Sequence, residues 1–219
     1  MNRKALIAEF VGTFTLIFIG VGAIASNAIS GGQSGLVGIA LAHGLAIAVM
    51  VSATAGISGG HLNPAVTIGL LTAGKIDRTN ALGYVIAQCL GAISAAILLK
   101  VVIPADILST VNFGTPSLGT NVTPLMGLVT EIILTFFLIF AVYGTAVSKH
   151  APKVGGLFIG LTVSLDILMG GPITGAAMNP ARYLGPALVS GNLTQCWLYW
   201  LGPVLGGIFA ALLYKNAIE

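Results

Sequence analysis

Charged residues make up only 7% of this 219-residue chain, and it has just two cysteines and three histidines. Soluble domains carry about 25% charged residues, so this composition excludes an ordinary water-soluble enzyme. The three histidines lie in separate segments, and with six acidic residues they suggest no grouping of nucleophile and base, or of metal ligands. We therefore expect no enzymatic activity, no metal site and no cofactor.

The basic residues are also few and scattered. Nine Lys and Arg against six Asp and Glu give a net charge of +3 without a basic run, so nucleic acid is excluded as a partner. Cys89 and Cys196 each lie among apolar residues, which favours buried thiols over a disulfide or a metal site.

Long apolar runs are what the chain has in abundance, with 56% hydrophobic residues and a mean hydropathy of +1.01. A membrane-spanning helix needs about 20 mostly apolar residues. Two shorter runs begin at Asn-Pro and predict half-helices that enter the bilayer without crossing it. The fold class predicted is an all-α membrane protein. The six expected spans lie at roughly 5–27, 35–55, 80–103, 122–146, 154–171 and 196–215, and the two half-helices at roughly 63–73 and 179–190.

The positions of Lys and Arg predict the orientation, because cationic loops stay on the cytoplasmic side. With a cytoplasmic N-terminus, seven of the nine basic residues fall inside, and Lys100 and Arg182 do not. Both termini are therefore expected in the cytoplasm. The first apolar run continues past Ile24 without a cleavage site, which indicates a first span rather than a removed signal.

The chain is an internal duplication. Residues 57–65 match residues 173–181 without a gap, and residues 9–18 match residues 131–140. Each copy contains three spans, an odd number, so the second copy must enter the membrane from the opposite side. We expect a single channel domain over 1–219, with repeat one at about 1–110 and repeat two at about 120–219.

Each copy carries one Asn-Pro-Ala motif, Asn63-Pro64-Ala65 and Asn179-Pro180-Ala181. Pro suits the first helical turn and Asn suits the cap. A single motif would mean only an ordinary capped helix. Two in an inverted membrane repeat predict non-helical loops that meet near mid-membrane, where such backbone must line a watery cavity or be buried in protein. Both positive helix ends would then face a pore that opposes protons and cations and admits neutral molecules.

The sequence resembles the major intrinsic protein family, the aquaporins and aquaglyceroporins, over essentially its whole length. The resemblance is carried by residues 58–66 and 178–182. It implies a right-handed six-helix bundle with one pore per subunit, assembled as a homotetramer in the lipid bilayer. Plant vacuolar members have longer termini, so we expect a prokaryotic cell membrane.

In that family four positions form the narrowest constriction, and here they are His43, Ile167, Ala176 and Arg182. Strict water channels usually carry an aromatic residue at the position of His43 and a histidine at that of Ile167. The set found here is similar to the filters of plant tonoplast intrinsic proteins. The smaller side chains imply a wider constriction, so we expect passage of water and of small neutral solutes such as ammonia or hydrogen peroxide.

Other positions separate the family's branches. Glycerol facilitators typically have Asp and a basic residue where this chain has Tyr183 and Ala187, and they lack the aromatic pair seen here as Tyr199-Trp200. Both differences favour the water-channel branch. A facilitator for glycerol, urea or ammonia with incidental water passage is the alternative. A secondary transporter shares the inverted repeat, although the Asn-Pro-Ala loops offer no carboxylate for a coupling ion.

Three acidic residues lie in apolar helices, where an ionisable group is costly and marks a functional hypothesis. The resemblance implies that Glu9 and Glu131 accept hydrogen bonds from backbone N–H groups of the re-entrant loops. His61 is expected to orient its own loop. Asp166 is not part of the family pattern, and we expect it to pair with loop groups or to face the outer vestibule.

Overall fold

The computed structural model describes residues 2–218, and its regular structure there is helical. Nine α-helices follow one another in this part of the chain: α1 (Arg3–Ile29), α2 (Gly35–Ser58), α3 (Pro64–Thr72), α4 (Arg78–Val102), α5 (Ala105–Thr110), α6 (Pro124–Val142), α7 (Gly155–Thr174), α8 (Pro180–Ser190) and α9 (Cys196–Leu213). π-helical turns extend α6 over Tyr143–Val147 and α9 over Tyr214–Ile218.

Between residues 2 and 218, six helices are long and apolar enough to cross a membrane, namely α1, α2, α4, α6, α7 and α9. This confirms the predicted spans to within a few residues. The half-helices α3 and α8 begin at Pro64 and Pro180, each one residue after the predicted start. The short helix α5 lies in the connection between the repeats and was not predicted.

Helix packing repeats between the two halves of the chain. Helix α1 contacts α2 and α4, and α6 contacts α7 and α9 in the same way. Each half-helix packs mainly against the last span of the other half, α3 against α9 and α8 against α4. Helices α2 and α7 pack against each other. The inverted repeat is therefore interlocked, and neither half buries its half-helix alone.

The contact between α2 and α7 depends on glycine. A Cβ on Gly44 would overlap the carbonyl oxygen of Gly160, and a Cβ on Gly160 would overlap the carbonyl oxygen of Gly44. Ser164 Oγ donates to the carbonyl of Ala40 across the same contact, at 3.1 Å. Small residues allow this close backbone approach, which is a common way to pack helices in lipid.

Gly160→Val should therefore destabilise the protein by about 1–3 kcal/mol, the usual cost of overpacking a tight contact. The loss should be measured as a lower Tm of the purified protein in detergent. Gly56→Val is the control, because Gly56 lies on α2, the partner of α7 in this contact, and nothing lies within 4 Å of an added Cβ. Equal melting of the two variants would contradict the packing argument.

Candidate channel and its narrow segment

A buried glutamate holds the first re-entrant loop. Glu9 Oε1 accepts from Ser58 Oγ at 2.6 Å and from the backbone N–H of His61 at 2.9 Å. Glu9 Oε2 accepts from the backbone N–H of Leu62 at 2.6 Å and from Gln88 Nε2 at 2.7 Å. Four donors thus surround one carboxyl group that has no exposed surface.

Glu131 repeats this arrangement in the second half. Its Oε1 accepts from Thr174 Oγ1 at 2.7 Å and from the N–H of Ala177 at 2.9 Å, and its Oε2 accepts from the N–H of Met178 at 2.8 Å. Leu62 and Met178 have φ of 50° and 51°, a strained conformation for residues with a side chain. The hydrogen bonds from their N–H groups to the glutamates stabilise it.

The two Asn-Pro-Ala motifs meet and are hydrogen-bonded to each other's loops. Asn63 Nδ2 donates to the carbonyl of Met178 at 2.9 Å, and Asn179 Nδ2 donates to the carbonyl of Leu62 at 3.0 Å. Each Asn side-chain oxygen caps its own half-helix, Asn63 through the N–H of Ala65 and Asn179 through that of Ala181. The N-terminal ends of α3 and α8 therefore face one place in the middle of the bundle.

An inner cavity of about 220 Å³ leads to this meeting point. Its walls are mostly aliphatic side chains from α1, α2, α3, α6 and α7. Its polar border includes the loop at Gly59–His61, the two capping asparagines and Lys75, with His43 and Arg182 as further polar residues. An outer cavity, also of about 220 Å³, lies against the segment that joins the repeats, including Gly114 to Ser117.

The predicted constriction residues lie where the two cavities adjoin. His43, Ile167 and Arg182 border both cavities, and Ala176 borders the inner one. Arg182 is 4% exposed and its Nη1 donates to the carbonyl of Gly114 at 2.8 Å. The geometry therefore brings together all four residues from α2, α7, the second loop and α8.

The orientation of the His43 ring follows from its hydrogen bond. Nδ1 lies 2.9 Å from the carbonyl oxygen of Ile39, and a carbonyl only accepts, so Nδ1 carries a proton. In a neutral imidazole Nε2 is then an acceptor. A Cβ on Gly20 would overlap the imidazole at Nε2, so glycine at this position makes room for the ring beside the passage.

The expectation for Asp166 is wrong. Its Oδ2 has no hydrogen-bond partner within residues 2–218, and the residue borders neither the outer nor the inner cavity. Asp166 lies about 100° around α7 from Ile167. One turn further along this face, Gly170 meets Leu134 of α6, which places Asp166 on the side of α7 that packs against α6.

The sequence did not reveal the hydrogen-bonding roles of three side chains at the site. Tyr84 and Tyr199 donate from their hydroxyls to the carbonyls of Ser58 and Thr174, at 2.9 and 2.6 Å. Gln88 completes the hydrogen bonding of Glu9. The Tyr pair stands at matching places of the two repeats, so aligning α4 with α9 would have found it. No sequence signal pointed to the Gly114 carbonyl as the partner of Arg182.

Two half-helices that meet between two cavities in a membrane protein are typical of a channel. The chain belongs to the major intrinsic protein family, since the family model described as "Major intrinsic protein" matches residues 1–214. It is similar to Aquaporin TIP4-4 of Zea mays, with 45% identity over 222 residues, 97% of this chain and 86% of the relative. Aquaporin TIP2-3 of Arabidopsis thaliana is 44% identical over 98% of this chain and 87% of its own.

The fold is also similar to that of a solved structure in this family. The X-ray structure of the aquaglyceroporin from Plasmodium falciparum superimposes with a TM-score of 0.89 and 27% identity. The match covers 98% of this chain and 96% of that one. The protein is therefore an aquaporin-family channel of the bilayer.

Mercury should inhibit water flux only weakly, because Cys89 and Cys196 border neither of the two cavities. Ala176→Cys should become mercury-sensitive, since residue 176 borders the inner cavity together with His43, Ile167 and Arg182. Stopped-flow shrinkage of proteoliposomes with and without mercuric chloride measures both. Strong wild-type inhibition that disappears in Cys89→Ser or Cys196→Ser would contradict this assignment.

Proposed function

We propose that the protein is a passive channel for water that also conducts small neutral solutes, ammonia and hydrogen peroxide first, and excludes protons and ions. The observation that carries the proposal is the arrangement of His43, Ile167, Ala176 and Arg182 where the two cavities adjoin. Their roles as a selectivity filter, and those of Asn63 and Asn179 as the pore's central donors, are part of the proposal.

The chemistry of the four side chains supports solutes beyond water. Ile167 and Ala176 contribute no hydrogen-bonding side chain, and Ala176 adds little bulk. Arg182 contributes N–H donors, and the neutral His43 ring contributes an acceptor at Nε2. A small solute with both a donor and an acceptor, such as ammonia, can therefore exchange part of its hydration for these two groups in the narrow segment.

Exclusion of protons and cations is supported by charge. The N-terminal ends of α3 and α8 carry partial positive charge towards the meeting point of the motifs. Arg182 adds a full positive charge at the narrow segment. A proton or a cation would be repelled by the half-helix ends and by Arg182, whereas a neutral solute would not be repelled.

Two other readings of the site are weaker. A glycerol or urea facilitator would need the narrow segment to hold a larger polyol or amide, and Tyr183 and Ala187 replace the residues typical of that branch. A secondary transporter would need ligands for a coupling ion, and Glu9 and Glu131 are already engaged by three or four donors each.

The proposal also covers the domain, the oligomeric state and the membrane orientation of the protein. We propose one channel domain made of repeats at about 1–110 and 120–219, assembled as a homotetramer with both termini in the cytoplasm. The relatives found are plant TIP proteins, which favours a tonoplast-type membrane over the prokaryotic cell membrane expected from the short termini.

Exchanging the filter should change the ratio of ammonia to water permeability. The double variant His43→Phe, Ile167→His should lower this ratio about fivefold. It removes the acceptor that His43 offers to the solute, worth about 1 kcal/mol, and restores the aromatic and histidine pair typical of strict water channels. Stopped-flow measurements on proteoliposomes give water flux from light scattering and ammonia flux from an internal pH dye. Wild-type vesicles should shrink faster than empty ones.

Leu165→Phe is the control, because Leu165 lies on α7 but is 65% exposed on the outer surface of the bundle. It should leave the ratio unchanged. A double variant with the wild-type ratio would refute the filter assignment, and wild-type vesicles no faster than empty ones would refute water conduction.

Arg182→Val should admit protons or small cations while water flux is retained, because the full charge at the narrow segment is lost and the half-helix ends remain. Decay of an imposed pH or potassium gradient in proteoliposomes measures the leak. If protons and cations are still excluded in Arg182→Val, the half-helices and not Arg182 form the whole barrier to them.

A further inference from the structure

The two repeats can be superimposed residue by residue around the pore. The mutual contact of Gly44 and Gly160 pairs α2 with α7 at an offset of 116 residues, the same offset as between Asn63 and Asn179. Tyr84 and Tyr199 hydrogen-bond to matching carbonyls and pair α4 with α9 at an offset of 115. Each residue near the pore therefore has a defined counterpart in the other half.

The counterparts of the proposed filter are apolar. His43, Ile167, Ala176 and Arg182 correspond in this register to Ile159, Val51, Gly60 and Val66. All four counterparts border the inner cavity, and none has a side chain that forms hydrogen bonds. The inner half of the pore therefore has no second filter of the same kind.

What the inner half has instead is a polar cluster around His61, made of His61, Thr67, Gln88 and Glu9. His61 Nδ1 lies 3.0 Å from Thr67 Oγ1, and Gln88 Nε2 lies 3.0 Å from the same oxygen and 2.7 Å from Glu9 Oε2. In the second half, residues Ala177, Tyr183 and Pro203 replace His61, Thr67 and Gln88. The scaffold is repeated but this cluster is not.

The hydrogen bonds of this cluster favour one tautomer of His61. Gln88 Nε2 has two hydrogens and gives one to Glu9 and one to Thr67. The Thr67 hydroxyl lies 3.1 Å from the carbonyl of Asn63, one turn earlier in α3, and hydroxyls in helices commonly donate to that carbonyl. Its lone pairs then accept from Gln88 and from His61 Nδ1–H, which leaves Nε2 of the neutral ring with a lone pair.

This nitrogen is accessible from the pore. His61 Nε2 has no hydrogen-bond partner in the described residues 2–218 and is not buried. It lies beside Gly59, where an added Cβ would be 3.3 Å away, and both residues border the inner cavity. The ring packs edge-on against Tyr84, with centroids 5.1 Å apart. The imidazole is therefore held on one side by an aromatic ring and at Nδ1 by a hydroxyl.

We propose that His61 Nε2 is a second hydrogen-bond acceptor for permeating solutes, in the inner half of the pore, and that Thr67 and Gln88 are its positioning residues. The inference rests on the proposed passage of ammonia. A solute with several N–H donors and a single lone pair gains most from an acceptor in a cavity whose walls are mostly aliphatic, whereas water molecules also hydrogen-bond to one another. Loss of the oriented acceptor therefore lowers ammonia flux more than water flux.

Thr67→Val tests this without a change of side-chain shape. It should lower the ammonia-to-water permeability ratio about threefold, within the range expected for one net hydrogen bond. Gln88→Met, which keeps length but cannot donate, should act in the same direction. Thr67→Ser keeps the hydroxyl and should retain the wild-type ratio.

Tyr183→Phe is the matched control, since Tyr183 is the counterpart of Thr67 and its hydroxyl donates to the carbonyl of Asn192 instead. It should leave the ratio unchanged. A wild-type ratio in Thr67→Val, or an equal loss in Thr67→Val and Tyr183→Phe, would overturn the selectivity role of His61.

A second measurement is independent of flux. Nitrogen-15 NMR of histidine-labelled protein in lipid at neutral pH, with the His61 signals assigned by His61→Gln, reports which ring nitrogen carries the proton. We expect protonated Nδ1 and bare Nε2 in the wild type, and a mixture of tautomers in Thr67→Val. A protonated Nε2 in the wild type would overturn the acceptor. A channel that conducts water but no ammonia would refute the proposed solute range, whatever tautomer the spectrum shows.

Discussion

The structure depends on one constraint, that backbone N–H groups inside a bilayer need partners and find no water there. A helix satisfies them internally, but a loop that turns back at mid-membrane does not. Each unpaired group would cost several kcal/mol in hydrocarbon. Glu9 and Glu131 each accept from two successive backbone N–H groups of a re-entrant loop. The two carboxyl groups thereby stabilise the two non-helical loops inside the membrane.

The rest of the channel follows from those two fixed loops. Because each loop is held, its Asn can cap a half-helix with its oxygen and reach the opposite loop with its amide nitrogen. The half-helices then pack against the other repeat, α3 on α9 and α8 on α4. Residues of both loops, His61 and Ala177 among them, border the inner cavity where the loops meet.

The fold could be predicted from the sequence because its signals are local or repeated. Span positions follow from apolar runs, half-helix starts from Asn-Pro, and the inverted repeat from matching segments. The four predicted constriction residues came from the family resemblance, which places them at fixed distances from the Asn-Pro-Ala motifs. Asp166 could not be placed in this way, because the direction of a side chain between two helices depends on how both helices rotate.

Contacts between segments that are distant in the chain could not be predicted from the sequence either. The hydrogen bond from Arg182 to the Gly114 carbonyl joins α8 to the segment that connects the two repeats. Every residue has a backbone carbonyl, so the residue type at position 114 could not indicate this partner. Gln88 is visible in the sequence as a polar residue in a span, yet its partners Glu9 and Thr67 lie on two other helices. Such partners emerge only when the helices are assembled.

Duplication explains why the two halves of the pore can differ so much in chemistry. Most residues that hold the scaffold have equivalent counterparts, as with Glu9 and Glu131 or Tyr84 and Tyr199, because both loops present the same backbone N–H groups. Gln88, whose counterpart is Pro203, is an exception. Residues that border the passage have no such requirement, and Arg182 corresponds to Val66 while His61 corresponds to Ala177. A change at a pore-facing position in one repeat leaves the brace of that loop intact. Polar groups on opposite sides of the Asn-Pro-Ala meeting point can therefore be altered independently, and the symmetric fold can carry an asymmetric passage.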